Sequence, residues 1–153
     1  MEYGGDPQCL DYLAYFGRSF DWSGPDWVDK HLTCTRNPQL TSFGNISIQV
    51  RRAIETLGYN ESSMSMDDYT EIIGALGDPV TNIYICAAHL SDLRNIDYSD
   101  ISAKEMTDEQ IIVIAIRYNR GPELTLDEIK KGTQSYGEGI RSNLIYIKEI
   151  LEK

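Results

Sequence analysis

From residue 45 onward the apolar residues recur at helical spacing. Ile46, Val50, Ala53, Ile54 and Leu57 make one face, closed by Gly58. Tyr69, Ile72, Ile73 and Leu76 make the next, closed by Gly77. Asp78-Pro79 then predicts a fresh start, with Asp as N-cap and Pro in the first turn, and the stripe Ile83, Cys86, Ala87, Leu90 continues that helix. Thr107-Asp108-Glu109-Gln110 is a capping box opening a helix whose face is Ile111, Ile114, Ala115 and Tyr118. Thr125 and Glu128 frame a second box and a short helix, and Ile140, Leu144, Ile147 and Leu151 mark a long final one. Strand-like alternation is nearly absent, so the pattern predicts a mainly α domain of about six helices.

Residues 1–44 lack this regularity. They are rich in Gly, Pro, Asp and aromatic residues and read as short helices and loops. Phe20, Trp22 and Trp27 surround a Ser-Gly-Pro turn. The plainer reading is a small irregular core beneath a loop; the functional alternative is a stacking wall for a flat ligand.

The 153 residues suffice for one domain, 1–153, with a real core. A net charge of −10 opposes binding to phosphate backbones, which argues against nucleic acid as a partner. No apolar run reaches the length of a membrane span, and the sequence as written carries no secretion signal. The three cysteines form no metal pattern; Cys86 reads as core, while Cys9 and Cys34 lie in loop-rich sequence where pairing outside the cytoplasm is one alternative. His31 and His89 have no ligand-like companions, so neither a metal nor another cofactor is expected.

Candidate chemistry is confined to carboxylates, amides and phenols, because phosphate loops, nucleophile elbows and redox cysteine pairs are missing from the sequence. The stretch IAIRYNRGP at 114–122 is the most pointed feature. An apolar helix breaks off into Tyr118, Asn119 and a cation, with Gly121 and Pro122 ending it. A Tyr anchored in the buried stripe can bring its hydroxyl out at an edge, and Asn can bond backbone on both sides of a helix end. Glycoside cleavage needs little more than one carboxylic acid and neighbours that hold the sugars.

Four separated elements occur in an order that resembles the lysozyme-like lytic transglycosylase (SLT) family. MEYGGDP at 1–7 resembles that family's E-S-x-x-x-P, and SFGNISIQVRRAIETLGY at 42–59 its S-x-G-L-M-Q-I-x-P-x-T-A-x-x-L-G. DPVTNIYICAAHLSDL at 78–93 is similar to D-P-x-x-N-I-x-x-G-x-x-Y-L, and IAIRYNRGP to A-x-Y-N-x-G-P, with Ser135-Tyr136-Gly137 downstream. The resemblance covers nearly the whole chain; YNRGP and DPxxNI are its more specific parts.

The resemblance implies a lysozyme-like helical domain cleaving the β-1,4 MurNAc–GlcNAc bond of peptidoglycan, with Glu2 as the single acid/base. It implies that Gly44 and Ser47 line a cleft floor, that Asn82 supports it through backbone hydrogen bonds, and that Tyr118, Asn119 and Tyr136 bind substrate. Tyr3, Asn45 and Ser47 depart from the family's Ser, Leu and Gln, and Cys86 and His89 replace a Gly and a Tyr. An extracytoplasmic or cell-wall location is implied too. The family's acid ends a long helix, whereas here Met1 alone precedes Glu2, so either the natural chain continues upstream or the protein is a truncated relative. A terminal ammonium one residue away would lower the carboxyl pKa, against the need of an acid catalyst. Retaining lysozymes use a second carboxylate about 5 Å from the first. Asp6, Asp21 and Asp26 are available without a supporting motif, and Glu55, Glu61 and Glu71 do not fit the acid's motif. The alternative function is an inactive lysozyme-like module binding glycan or a protein; a third is a small helical interaction protein whose motif matches are accidental.

Overall fold

The computed structural model describes residues 7–21, 37–44, 46–132 and 134–151. The fold is mainly α. Among the described residues there are seven α-helices: α1 (Pro7–Asp21), α2 (Val50–Thr56), α3 (Met66–Gly77), α4 (Pro79–Tyr98), α5 (Asp108–Arg120), α6 (Leu126–Gly132) and α7 (Gln134–Leu151). A two-stranded antiparallel ribbon, β1 (Ser42–Phe43) and β2 (Ile48–Gln49), pairs Ser42 with Gln49 and Phe43 with Ile48. The chain divides into two compact units, Met1–His89 and Leu90–Lys153.

In the first unit α1 packs against β1, and α2 against β2 and α3. Phe43, Ile48, Val50, Ala53, Ile54, Ile72, Ile73 and Leu76 are buried. Phe43 receives two aromatic edges from α1: the Tyr12 ring centroid lies 5.4 Å away and that of Tyr15 6.0 Å. Helix α3 begins with a reciprocal capping box between Ser65 and Asp68, and α4 with the Asp78 side chain accepting from the Thr81 amide at 2.8 Å.

Two expectations for this unit shift. The apolar run from Ile46 does not start a helix: Ile46 and Ser47 lie in the ribbon's turn, and α2 begins only at Val50, leaving Ile46 and Leu57 exposed. On α4 the buried positions are Asn82, Ile85, Cys86, His89 and Leu93, whereas Ile83, Ala87 and Leu90 of the expected stripe are exposed. The inner face follows the polar residues because they find partners inside. The Asn82 amide reaches backbone carbonyls, and His89 Nδ1 lies 3.0 Å from Thr56 Oγ1.

In the second unit α5 packs against α6 and α7. Ile112, Val113, Ile116 and Ile129 form its core, lined by Tyr98, Leu124, Leu126, Ile140 and Leu144. The capping boxes at Thr107–Gln110 and Thr125–Glu128 are both present. The buried face of α5 is rotated from the expected one: Ile112, Val113, Ile114, Ile116 and Arg117 are buried, while Ile111, Ala115 and Tyr118 are half-buried. Arg117 occupies one of these core positions, where its ion pair with Asp97 lets a cation be buried.

Candidate functional site

The ribbon turn between β1 and β2 is a tightly constrained piece of backbone in the first unit. Gly44 has φ of 71°, in the left-handed region where glycine alone is unstrained. It also has no room for a side chain: a Cβ there would lie 2.7 Å from Asn82 Cγ and Nδ2 and 2.8 Å from Oδ1. Asn82, 1 % exposed, donates through Nδ2 to the carbonyls of Leu76 at 3.1 Å and Phe43 at 3.3 Å. It thereby ties the end of α3 to the residue that enters the turn. The Cys86 thiol approaches Asn82 Oδ1 at 3.9 Å from the next turn of α4.

The turn is held from its other side by α1. Asp11 Oδ2 accepts from the Gly44 amide at 2.8 Å, and Arg18 Nη1 donates to Thr41 Oγ1 at 2.8 Å just before the ribbon. Tyr12 donates to the Ile73 carbonyl at 3.4 Å and lies against Gly77, where a Cβ would run into its hydroxyl. Ser47 closes the turn, its amide donating to the Gly44 carbonyl at 3.0 Å. Ser47 is the one non-glycine residue with positive φ, 56°, among the described residues, and it is exposed together with Ile46. A left-handed serine is an unfavourable local conformation that the surrounding bonds must sustain.

In the second unit the end of α5 has its own clamp. Arg117, 2 % exposed, donates from Nε to Asp97 Oδ2 at 2.6 Å and from Nη2 to Asp97 Oδ1 at 2.9 Å. Its Nη1 reaches past the helix end to the carbonyls of Pro122 at 2.8 Å and Leu124 at 2.7 Å. One guanidinium thus fixes the loop that follows Tyr118 and Asn119. Gly121, with φ of 101°, returns its amide to the Arg117 carbonyl at 2.7 Å and lets the chain turn away. Burial raises the Tyr98 phenol above its ordinary pKa, the nearby Asp97 carboxylate raises it further, and Arg117 offsets part of this.

The residues expected from sequence fall into three groups. Gly44, Ser47 and Asn82 belong to the turn and its support, and Gly44 and Asn82 touch. Tyr118 is half-buried and Asn119 exposed at the end of α5. Glu2 lies outside the described residues, as do Tyr3, Asp6, Trp22, Asp26, Trp27, His31, Cys34 and Asn45. The side chains of Cys9, Phe20, Asp21 and Tyr136 lie outside them as well, although their backbones belong to α1 and α7.

Asp11 and Arg117 escaped the sequence reading. Arg117 left a trace, a lone cation inside an isoleucine-rich helical run. Asp11 left none, because α1 turns Asp11, Tyr12, Tyr15 and Arg18 inward while Leu13 and Phe16 stay exposed. Among the described residues no group of three or more His, Cys, Asp and Glu side chains is placed to hold a metal ion, and no helix is long and apolar enough to cross a membrane. Comparison of the chain with protein-family models, with curated proteins and with solved structures gave no match.

Proposed function

We propose that the protein is a lysozyme-like domain that cleaves the MurNAc–GlcNAc bond of peptidoglycan, with Glu2 as the acid/base. One observation carries the reading. The SFGNIS and DPVTNI elements, picked out separately in the sequence, interlock: Gly44 of the first has no Cβ space because Asn82 of the second fills it. Chance matches to two motifs have no reason to meet with the glycine of one seated on the amide of the other.

In this mechanism Glu2 donates its proton to the glycosidic oxygen as the bond to the leaving sugar breaks. The resulting carboxylate then removes a proton from the sugar's own 6-hydroxyl, closing an anhydro ring, or from a water molecule, giving a reducing end. Gly44 and Ser47 contact substrate through the turn, with Asn82 as its support. Tyr118, Asn119 and Tyr136 are further substrate-binding residues.

The test is clearing of a suspension of purified cell walls. The unmodified chain is expected to clear it, and Glu2→Gln to slow clearing by about a hundredfold or more. Undiminished clearing by Glu2→Gln removes Glu2 from the mechanism. Retention on walls without any clearing by the unmodified protein would instead identify an inactive glycan-binding module. Mass analysis of the released fragments separates anhydro from reducing products.

A further inference from the structure

We propose that Asp11 is a positioning residue for the substrate-contacting turn, an inference that rests on the functional reading above. Among its described residues the turn has two left-handed ones, Gly44 at its start and Ser47 at its end. Glycine accepts this conformation freely, but serine does not. The Ser47 amide is held by the Gly44 carbonyl at 3.0 Å, which links the position of the serine to that of Gly44. Two groups hold Gly44. Asn82 sits against it and bonds the preceding carbonyl, fixing the turn from the core side. Asp11 bonds its amide at 2.8 Å from α1.

The chemistry of the two holds differs. Asn82 works by shape and neutral hydrogen bonds, whereas Asp11 supplies a carboxylate, the stronger acceptor for a backbone amide. The chain of contacts runs from Asp11 Oδ2 to the Gly44 amide, through the Gly44 peptide to its carbonyl, and on to Ser47. At its end stand Ile46 and Ser47, both exposed, presenting an apolar side chain and a hydroxyl beside each other. That pair suits a sugar, which offers a C–H face and hydroxyl groups together. Asp11 does not need to touch the glycan. Its role is to keep the turn in the one conformation that presents Ser47.

The test compares Asp11→Asn with Asp11→Ala in wall clearing and in binding to soluble wall fragments. Asparagine keeps an acceptor oxygen for the Gly44 amide and alanine removes it. Asp11→Ala is expected to raise KM about tenfold or more with kcat nearly unchanged, and Asp11→Asn to stay within about threefold of the unmodified protein. A second readout needs no activity. In the isotope-labelled protein the Gly44 amide resonance is expected to move in Asp11→Ala and to stay near its original position in Asp11→Asn, while thermal unfolding shows both variants folded.

Asp11→Asn as damaging as Asp11→Ala would overturn the proposal, because an acceptor oxygen for the Gly44 amide would then not be what the turn draws from Asp11. A Gly44 amide resonance left unmoved by Asp11→Ala would overturn it too. A clearing protein insensitive to Asp11→Ala removes this role alone, whereas an unmodified protein that neither clears nor binds walls removes the functional reading with it.

Discussion

The ribbon turn of the first unit and the helix end of the second solve the same problem by different means. Each must hold irregular backbone in one conformation, and each uses a glycine with positive φ to make the bend. At the turn, the buried clamp is the neutral amide of Asn82, assisted by the half-buried carboxylate of Asp11. At the helix end, the clamp is a guanidinium buried with its counter-ion and bonded to two loop carbonyls. A neutral clamp loses a modest amount when removed, because no charge is stranded. A buried ionic clamp loses far more when one partner goes, since the remaining charge has given up its water.

The largest expected effect is therefore Arg117→Ala. It strands the Asp97 carboxylate, 11 % exposed, and unpairs the Pro122 and Leu124 carbonyls. Loss of one partner of such a pair costs about 3–5 kcal/mol, read as a drop in the urea midpoint of unfolding. Arg117→Lys should recover only part of this, because an ammonium cannot make the bidentate contact and reach two carbonyls. A cost below about 1 kcal/mol for Arg117→Ala would show that water replaces the pair freely and would erase the contrast between the two regions.

Next in size is Gly44→Ala. Left-handed φ costs an alanine about 1–2 kcal/mol, and displacing the Asn82 amide adds to it. Asn82→Ala leaves the Phe43 and Leu76 carbonyls without their donor and costs about 1–3 kcal/mol. The double variant should cost less than the sum of the two, because the methyl group of one occupies space vacated by the other. Strict additivity would mean that Gly44 is required for its dihedral angle alone.

A smaller effect concerns acid. Asp68, Asp78 and Glu128 are all held below their ordinary pKa values of 3.8, 3.8 and 4.5 by hydrogen bonds at helix starts: Ser65 backbone then side chain for Asp68, and the side chain then backbone of Thr81 for Asp78 and of Thr125 for Glu128. A carboxyl with a lowered folded-state pKa stabilises the fold fully above its ordinary value. That contribution is lost as pH falls through the folded-state value. The stability that these caps supply should thus be full and independent of pH near neutrality, and the temperature of thermal unfolding should decline below about pH 4. Glu128→Gln should flatten part of the decline, and an unchanged slope would remove that cap from the account.

How far the sequence reveals this architecture depends on what each element uses to hold itself. Helices α5 and α6 announce themselves through capping residues, which act locally and leave a fixed spacing, and α3 through its apolar stripe. Helix α4 was legible in its start and its existence, but not in its buried face: Asn82 and His89 are polar, so a hydrophobic stripe passes over them and settles on Ile83 and Ala87. Helix α1 was hidden more deeply. Among the described side chains its inward residues are Asp11, Tyr12, Tyr15 and Arg18, and Asp11, Tyr12 and Arg18 bond groups far along the chain. Periodicity detects burial of hydrocarbon; it does not detect a polar face that is satisfied only in the folded state. The candidate site repeats the lesson. Gly44 and Asn82 were each visible as parts of motifs, while Asp11, which bonds the Gly44 amide, and Arg117, which holds the loop after α5, have meaning only through partners the linear order does not reveal.

The smallest prediction returns to the contrast, now between two arginines of the same unit. Arg141 lies 3.3 Å from Glu109, with the two side chains 54 % and 72 % exposed. The charges match those of Arg117 and Asp97, but here water solvates both groups whether or not they meet. Little desolvation is incurred by forming the pair, and little is stranded by breaking it. Arg141→Ala should change stability by no more than about 0.5 kcal/mol, and moderate salt should remove even that. A double-mutant cycle on Arg141 and Glu109, run beside one on Arg117 and Asp97, measures the difference directly. Coupling energies of similar size would mean that burial does not set the strength of these pairs, and the ranking of every effect above would have to be redrawn.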